Sequence, residues 1–89
     1  MKIMLVQLLK YNGEYVGPAN KIFESDVIPC AGMYIADPIW SDESEVLKVI
    51  INYNSNWCTV CLDDCDIESS DDIEEIAENF RSNGWTVHL

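Results

Sequence analysis

Positive charge is scarce in this chain. Five Lys or Arg stand against sixteen Asp or Glu, a formal net charge of −11 over 89 residues. Phosphate neutralisation needs a basic surface, so the composition argues against direct nucleic-acid binding, and anionic membrane surfaces repel the chain for the same reason. Long apolar runs are absent too: none approaches the length that crosses a bilayer. The run Ile3-Met4-Leu5-Val6 after Lys2 is interrupted by Gln7 and Lys10, with no small-residue cleavage site beyond it, unlike a secretory signal. A cytoplasmic protein with reduced thiols is therefore expected. Catalytic signatures are missing as well. There is no G-x-G-x-x-G, no phosphate loop and no G-x-S-x-G serine, and the single histidine, His88, stands next to the last residue. The chain is expected to be non-enzymatic, with no catalytic residue, no metal ligand and no cofactor.

What is present is globular in kind. Hydrophobic residues make up 48% of the sequence, above the range of disordered acidic chains. Without a linker or a repeat, residues 1–89 read as one domain, near the size where a single core is only just sufficient. Lys2–Lys10 reads as a strand buried on at least one face, and Asn12-Gly13 as a hairpin turn toward Tyr15-Val16, since both residues tolerate positive φ. Gly17-Pro18 is expected to stop any regular element, with short strands to follow at Lys21–Glu24 and Met33–Ala36. Trp40 reads as a core or rim aromatic. Val46–Tyr53 and Trp57–Leu62 are rich in strand formers and flank the turn residues Asn54-Ser55-Asn56, the strongest hairpin signal in the chain. A helix follows. Ser69 or Ser70 caps it, Ile73, Ile76, Ala77 and Phe80 make its apolar face, and Gly84 stops it before a final strand at Trp85–Leu89. The expected fold class is α+β: a small antiparallel sheet of about four to six strands, one C-terminal amphipathic helix on one face, and a short last strand.

Cys30, Cys58, Cys61 and Cys65 admit two chemical readings. Trp57-Cys58-Thr59-Val60-Cys61, preceded by the strand at 46–53, resembles the W-C-x-x-C active site of the thioredoxin family. The resemblance implies an attacking thiolate at Cys58, a resolving thiol at Cys61, and a helix N-terminus that lowers the first pKa. It spans residues 46–61 only. Leu62-Asp63-Asp64-Cys65-Asp66 stands where that family continues into a long helix, and no proline follows the motif to supply the family's cis-proline loop. Alternatively, Cys58-x2-Cys61-x3-Cys65 with Cys30 provides four thiolates for a structural zinc. Thr59-Val60 lacks the tight-turn residues that zinc knuckles use. Unligated thiols on a strand are the simpler expectation.

Negative charge is concentrated. Between Asp63 and Glu78 lie nine acidic residues (Asp63, Asp64, Asp66, Glu68, Asp71, Asp72, Glu74, Glu75 and Glu78) and no basic one. Asp64, Asp66, Glu68, Ser70, Asp72 and Glu75 fall at the ligand spacing of an EF-hand-like calcium loop. However, Ser69 stands where such a loop needs glycine, and a strand rather than a helix is expected before it. A second group, Asp37, Asp42, Glu43 and Glu45, flanks the other end of the hairpin. A helix that needed only solubility could mix signs and gain i,i+4 pairs. One-signed charge instead destabilises a small domain. The nine carboxylates are therefore the expected partner-binding residues, presenting a nucleic-acid-like negative surface to a basic DNA- or RNA-binding protein, with exposed tyrosines (Tyr11, Tyr15, Tyr34, Tyr53) as anchors. Small acidic counter-defence proteins of phages and mobile elements, anti-CRISPR inhibitors among them, are similar in size and charge. The alternatives are a thiol-redox or zinc protein built on Cys58 and Cys61, or a small acidic accessory subunit. The apolar content also accommodates a homodimer that buries part of the sheet.

Overall fold

A computed structural model describes residues 1–89 and shows a curled, half-barrel sheet with one short helix. The strands are β1 (Lys2–Tyr11), β2 (Glu14–Glu24), β3 (Tyr34–Ile35), β4 (Ser44–Asn52), β5 (Trp57–Leu62), β6 (Cys65–Ile67) and β7 (Thr86–Val87); a 3-10 turn at Ser70–Asp72 leads into α1 (Ile73–Ser82). Spatial order is β3-β4-β5-β1-β2-β7, with β6 also paired to β1. No helix is long and apolar enough to cross a membrane.

The local turn chemistry is as the sequence predicts. Asn12 and Gly13 both adopt positive φ, 54° and 78°, closing the two-residue loop between Tyr11 and Glu14. In the second hairpin the Asn52 carboxamide oxygen accepts from the Asn54 and Ser55 amides, and Asn56 takes φ 56°. Ser69 accepts from the Asp71 amide at the helix entry. Gly84 ends the helix at φ 89°, with Gly84 N–H bonded to Arg81 O and Trp85 N–H to Phe80 O.

Long-range pairing departs from the expected antiparallel sheet. β1 is antiparallel to β2 but parallel to both β5 and β6, so the sheet is mixed and larger than expected. β6 was not anticipated, since Cys65-Asp66-Ile67 offers only three alternating residues amid acidic ones. Nor does Gly17-Pro18 interrupt the second strand, which runs through it to absorb Lys21–Glu24. The Pro18 carbonyl accepts from the His88 amide. In an antiparallel strand a residue's N–H and C=O point the same way, so the donor Pro18 lacks would face that sparsely paired edge and not β1. Gly17 has no room for a side chain: a Cβ there would lie 2.2 Å from the His88 carbonyl oxygen. The expected strand Met33–Ala36 contracts to Tyr34–Ile35, and the final one to Thr86–Val87.

One face of the sheet holds the core. Alternate residues Ile3, Leu5 and Leu9 of β1, Cys58, Val60 and Leu62 of β5, and Val46 and Ala19 point to it, and Ala77 and Phe80 of α1 close over them with Ile67, Trp85 and Val87. Each fully buried aliphatic side chain of this set contributes roughly 1.5–3 kcal/mol. Edge-to-face contacts link Trp85 to Trp40 (centroids 5.7 Å apart) and to Phe80 (5.3 Å). Gln7, alone among the inward β1 residues in being polar, is satisfied twice: its Nε2 donates to Asp63 O (2.8 Å) and its Oε1 accepts from Trp40 Nε1 (3.0 Å).

Asp37 fastens these layers together. Its side chain is 8% exposed and accepts from Lys21 Nζ at 2.7 Å, from Trp85 Nε1 at 3.2 Å and from the Ile39 amide at 3.1 Å. Burial pushes the carboxyl pKa up, but the bonds from Lys21, Trp85 and Ile39 outweigh it and hold the group below its ordinary 3.8. Its contribution to stability is therefore complete above that value and is lost as pH falls through the folded-state pKa. Asp37→Asn should cost about 2 kcal/mol at neutral pH, as loss of a charge-assisted bond does. Thermal melts of the two proteins should converge as pH falls below the folded-state pKa. The gap between them is the measure, because relief of self-repulsion in acid is common to both; a constant gap would contradict this role.

Candidate acidic interface

The nine predicted carboxylates follow one path over the surface. Asp63 leaves β5, its amide bonded to Glu45 O; Asp66 lies in β6; Asp71 and Asp72 sit in the 3-10 turn; Glu74 and Glu75 fill the first turn of α1. Side chains at that helix entry complement the helix dipole. All nine are exposed except Asp64, which is half-buried. Two are neutralised: Asp64 by Lys10 at 2.8 Å, a bond that raises the Lys10 pKa, and Glu78 by Arg81 at 2.6 Å. The other seven have no ion-pair partner within 4.0 Å.

Two concavities border this path. A groove along α1 is lined by Asp72, Glu75, Ile76, Glu78, Asn79 and Ser82. A second cleft, of about 490 Å³, unites the two acidic groups that are separate in sequence: Asp42, Glu43 and Glu45 face Asp63 and Asp64, with Trp40 and Tyr34 in the wall. The β4–β5 pairing creates this juxtaposition by bringing Glu45 beside Asp63. The second acidic group thus lies at the same end of the hairpin as Asp63, not at the other end as expected, which follows from the hairpin pairing of Val46 with Leu62. Asp37, by contrast, does not belong to the acidic surface, because it is consumed as the internal acceptor described above. Among the candidate tyrosine anchors, Tyr34 joins the carboxylates. Tyr15 and Tyr53 are exposed elsewhere, and Tyr11 is half-buried against the core.

The cysteine motif has a different setting from the one its resemblance implies. It lies inside β5, not at a helix N-terminus, and strand alternation sends Cys58 into the core and Cys61 to the opposite face. Residues three apart on a strand are roughly 10 Å apart along it, too far for a disulfide without moving the backbone. Burial raises the Cys58 thiol pKa, and burial with the nearby Asp66 charge raises that of Cys65. Nor do the EF-hand-spaced oxygens converge: Asp64 is paired with Lys10, and the others are strung along strand, turn and helix. No three His, Cys, Asp or Glu side chains gather at one point.

Comparison with known protein families, with curated proteins and with solved structures finds no match. The chemistry of the site rests on the residues and distances above. One direct check of that chemistry is thiol labelling: a maleimide or disulfide reagent should modify exposed Cys30 quickly, while Cys58 should react only at the rate of opening of the sheet. Mass spectrometry after mild oxidation should show no Cys58–Cys61 link; finding one in the folded protein would refute the assigned strand parity.

Proposed function

We propose that this protein is a non-enzymatic, acidic binding module that occupies the nucleic-acid-binding surface of a basic protein. In this reading it is a stoichiometric inhibitor of the counter-defence, anti-CRISPR type. The observation that carries the reading is the run of seven exposed carboxylates without ion-pair partners, continued by the cleft where Asp42, Glu43 and Glu45 meet Asp63. A basic groove expects closely spaced phosphates, and carboxylates held on a sheet end, a turn and a helix offer that pattern without the flexibility of an acidic tail. Unpaired charge of one sign accelerates encounter with a basic partner, by about 10–1,000-fold at low ionic strength. Tyr34 and Trp40 beside the carboxylates supply apolar area to an otherwise electrostatic contact. Segregation favours an interface as well: the 3-10 turn carries Asp71 and Asp72 and α1 carries Glu74, Glu75 and Glu78, with Arg81 as the one cation of α1.

Affinity capture from the cell of origin with salt-graded elution tests this. The expected partner is a protein that otherwise binds DNA or RNA, released as salt rises and displaced by its own nucleic acid. Reversal to Lys at Asp71, Asp72, Glu74 and Glu75 should reduce its retention at least tenfold, on the order of 1.4 kcal/mol. Equal retention of the same partner by the reversed protein would remove the helix face from the interface.

A further inference from the structure

The second face of the sheet has nothing of this chain packed on it. Pairing registers place its residues in rows across β2, β1, β5 and β4. Glu24, Lys2, Trp57 and Asn52 form the first row; Ile22, Met4, Thr59 and Ile50 the second; Asn20, Val6, Cys61 and Lys48 the third. Pro18 and Leu8 continue the last of these along the first hairpin. Ile22 and Ile50 are each 52% exposed. The centre of this face is apolar and its charges stand at the margin, which is the anatomy of a protein interface.

We infer that this open face is a self-association surface, and that a second copy of the chain covers it through a two-fold axis. The distribution of charge selects that occupant. On a chain of net charge −11, the three rows hold one carboxylate, Glu24, which lies 3.5 Å from the N-terminal ammonium, and two lysines, Lys2 and Lys48. Further along, Lys10 is ion-paired to Asp64 at 2.8 Å and stands in register with Asp66, so the acidic path touches this face only at its end. A basic partner is drawn to the cleft and the helix entry, whereas a second copy can approach the three rows without setting one acidic path squarely against another. Packing sheet on sheet leaves both helices outside. With sheets about 10 Å apart and helices about 10 Å thick, the two α1 helices would be roughly 30 Å from each other, several times the ~8 Å screening length of physiological salt. Area is adequate. Four strands at about 4.8 Å spacing, about five residues long and prolonged by the β1–β2 hairpin, give a face on the order of 500 Å² in projection. Two such faces reach the ~1,000 Å² at which specific interfaces begin, so a dimer with micromolar affinity is the expectation.

This inference is independent of the proposed partner, and the sign of the salt effect separates the two. Rising salt strengthens the dimer by screening net repulsion, whereas it releases a basic partner. Sedimentation equilibrium of the full chain from about 1 to about 200 µM should show a mass rising toward twice 10.1 kDa. Ile22→Lys with Ile50→Lys should weaken association at least about tenfold with the circular dichroism spectrum unchanged. Charge reversal at Asp71, Asp72, Glu74 and Glu75 should leave the dimer in place. Should the lysine variant fail to fold, Ile22→Thr with Ile50→Thr retains strand propensity and gives the same reading. A single-chain mass across the whole range, or a dimer unaffected by these substitutions, overturns the inference.

Discussion

The chain between the two hairpins, residues 25–43, is the constraint on which the rest of this molecule depends. Antiparallel neighbours need only a tight turn, but the parallel pairing of β1 with β5 requires the chain to cross over before the second hairpin begins. That crossing lays Ile28, Ile35, Ile39 and Trp40 against the core. Pairing of β3 with β4 and the Trp40–Gln7 bond hold its middle and end, and one carboxylate ties it to both the sheet and the helix terminus. Asp37 takes the Lys21 ammonium from β2 and the Trp85 indole from beyond the helix, and Lys21 also donates to Asn83 O at the helix end. Sheet, crossover and helix terminus thus share one node of three donors. Removing it would leave two donors short of a partner beside the edge-to-face Trp40, Trp85 and Phe80 rings, which costs more than the gain any one of the bonds provides.

Such a node matters more in a chain of this charge. Sixteen acidic residues in 89 must be distributed over a surface with little curvature to separate them, and the fold does so by segregation. Asp37 is taken inside. Asp64 and Glu78 are matched with Lys10 and Arg81. The remaining carboxylates of the acidic path keep to the strand ends, the 3-10 turn and the helix entry, where the dipole favours them. Lys2 and Lys48 are left to the sheet face with the fewest acids. Repulsion is not removed by this arrangement. Much of it is gathered along the cleft, the 3-10 turn and the helix entry, where a ligand of opposite charge would relieve it.

How much of this the sequence discloses follows from the range of each signal. Turn and cap residues act on their neighbours, so Asn12-Gly13, Asn54-Ser55-Asn56, a serine cap at 69 or 70 and Gly84 could be assigned, and with them both hairpins and the helix. Pairing between distant strands has no such local mark. The alternation in β1 identifies its buried side, yet the same alternation suits a parallel or an antiparallel neighbour, and so the mixed sheet was not legible. Gly17-Pro18 misled for a related reason: its glycine is explained by the close approach of His88, 71 residues further along the chain. The cysteine pair was legible as a motif but not as a site, since its meaning depends on whether the backbone beneath it is a strand or a helix. In a strand, period two divides Cys58 from Cys61. The acidic path was visible residue by residue. Its union with Asp42, Glu43 and Glu45 was implicit in the predicted β4–β5 hairpin but was missed, because the second group was assigned to the wrong end of it.

The two faces of the sheet therefore invite different partners by different forces. The acids, with Tyr34 and Trp40, offer long-range attraction with a small apolar anchor, so affinity there should depend steeply on ionic strength. The rows centred on Ile22, Met4, Thr59 and Ile50 offer the reverse: short-range apolar burial with little charge, opposed only by the chain's net repulsion. The open face is the reverse of the face that carries the helix, so a partner at the helix entry does not cover it. A pair of chains joined through their open faces would carry two acidic paths on opposite sides. A partner with a single basic groove would gain nothing from that pairing. A dimeric partner whose grooves match the spacing would bind with the effective concentration of a linked ligand. Geometry of that kind, more than added charge, is what could turn a weak and salt-sensitive contact into a durable one.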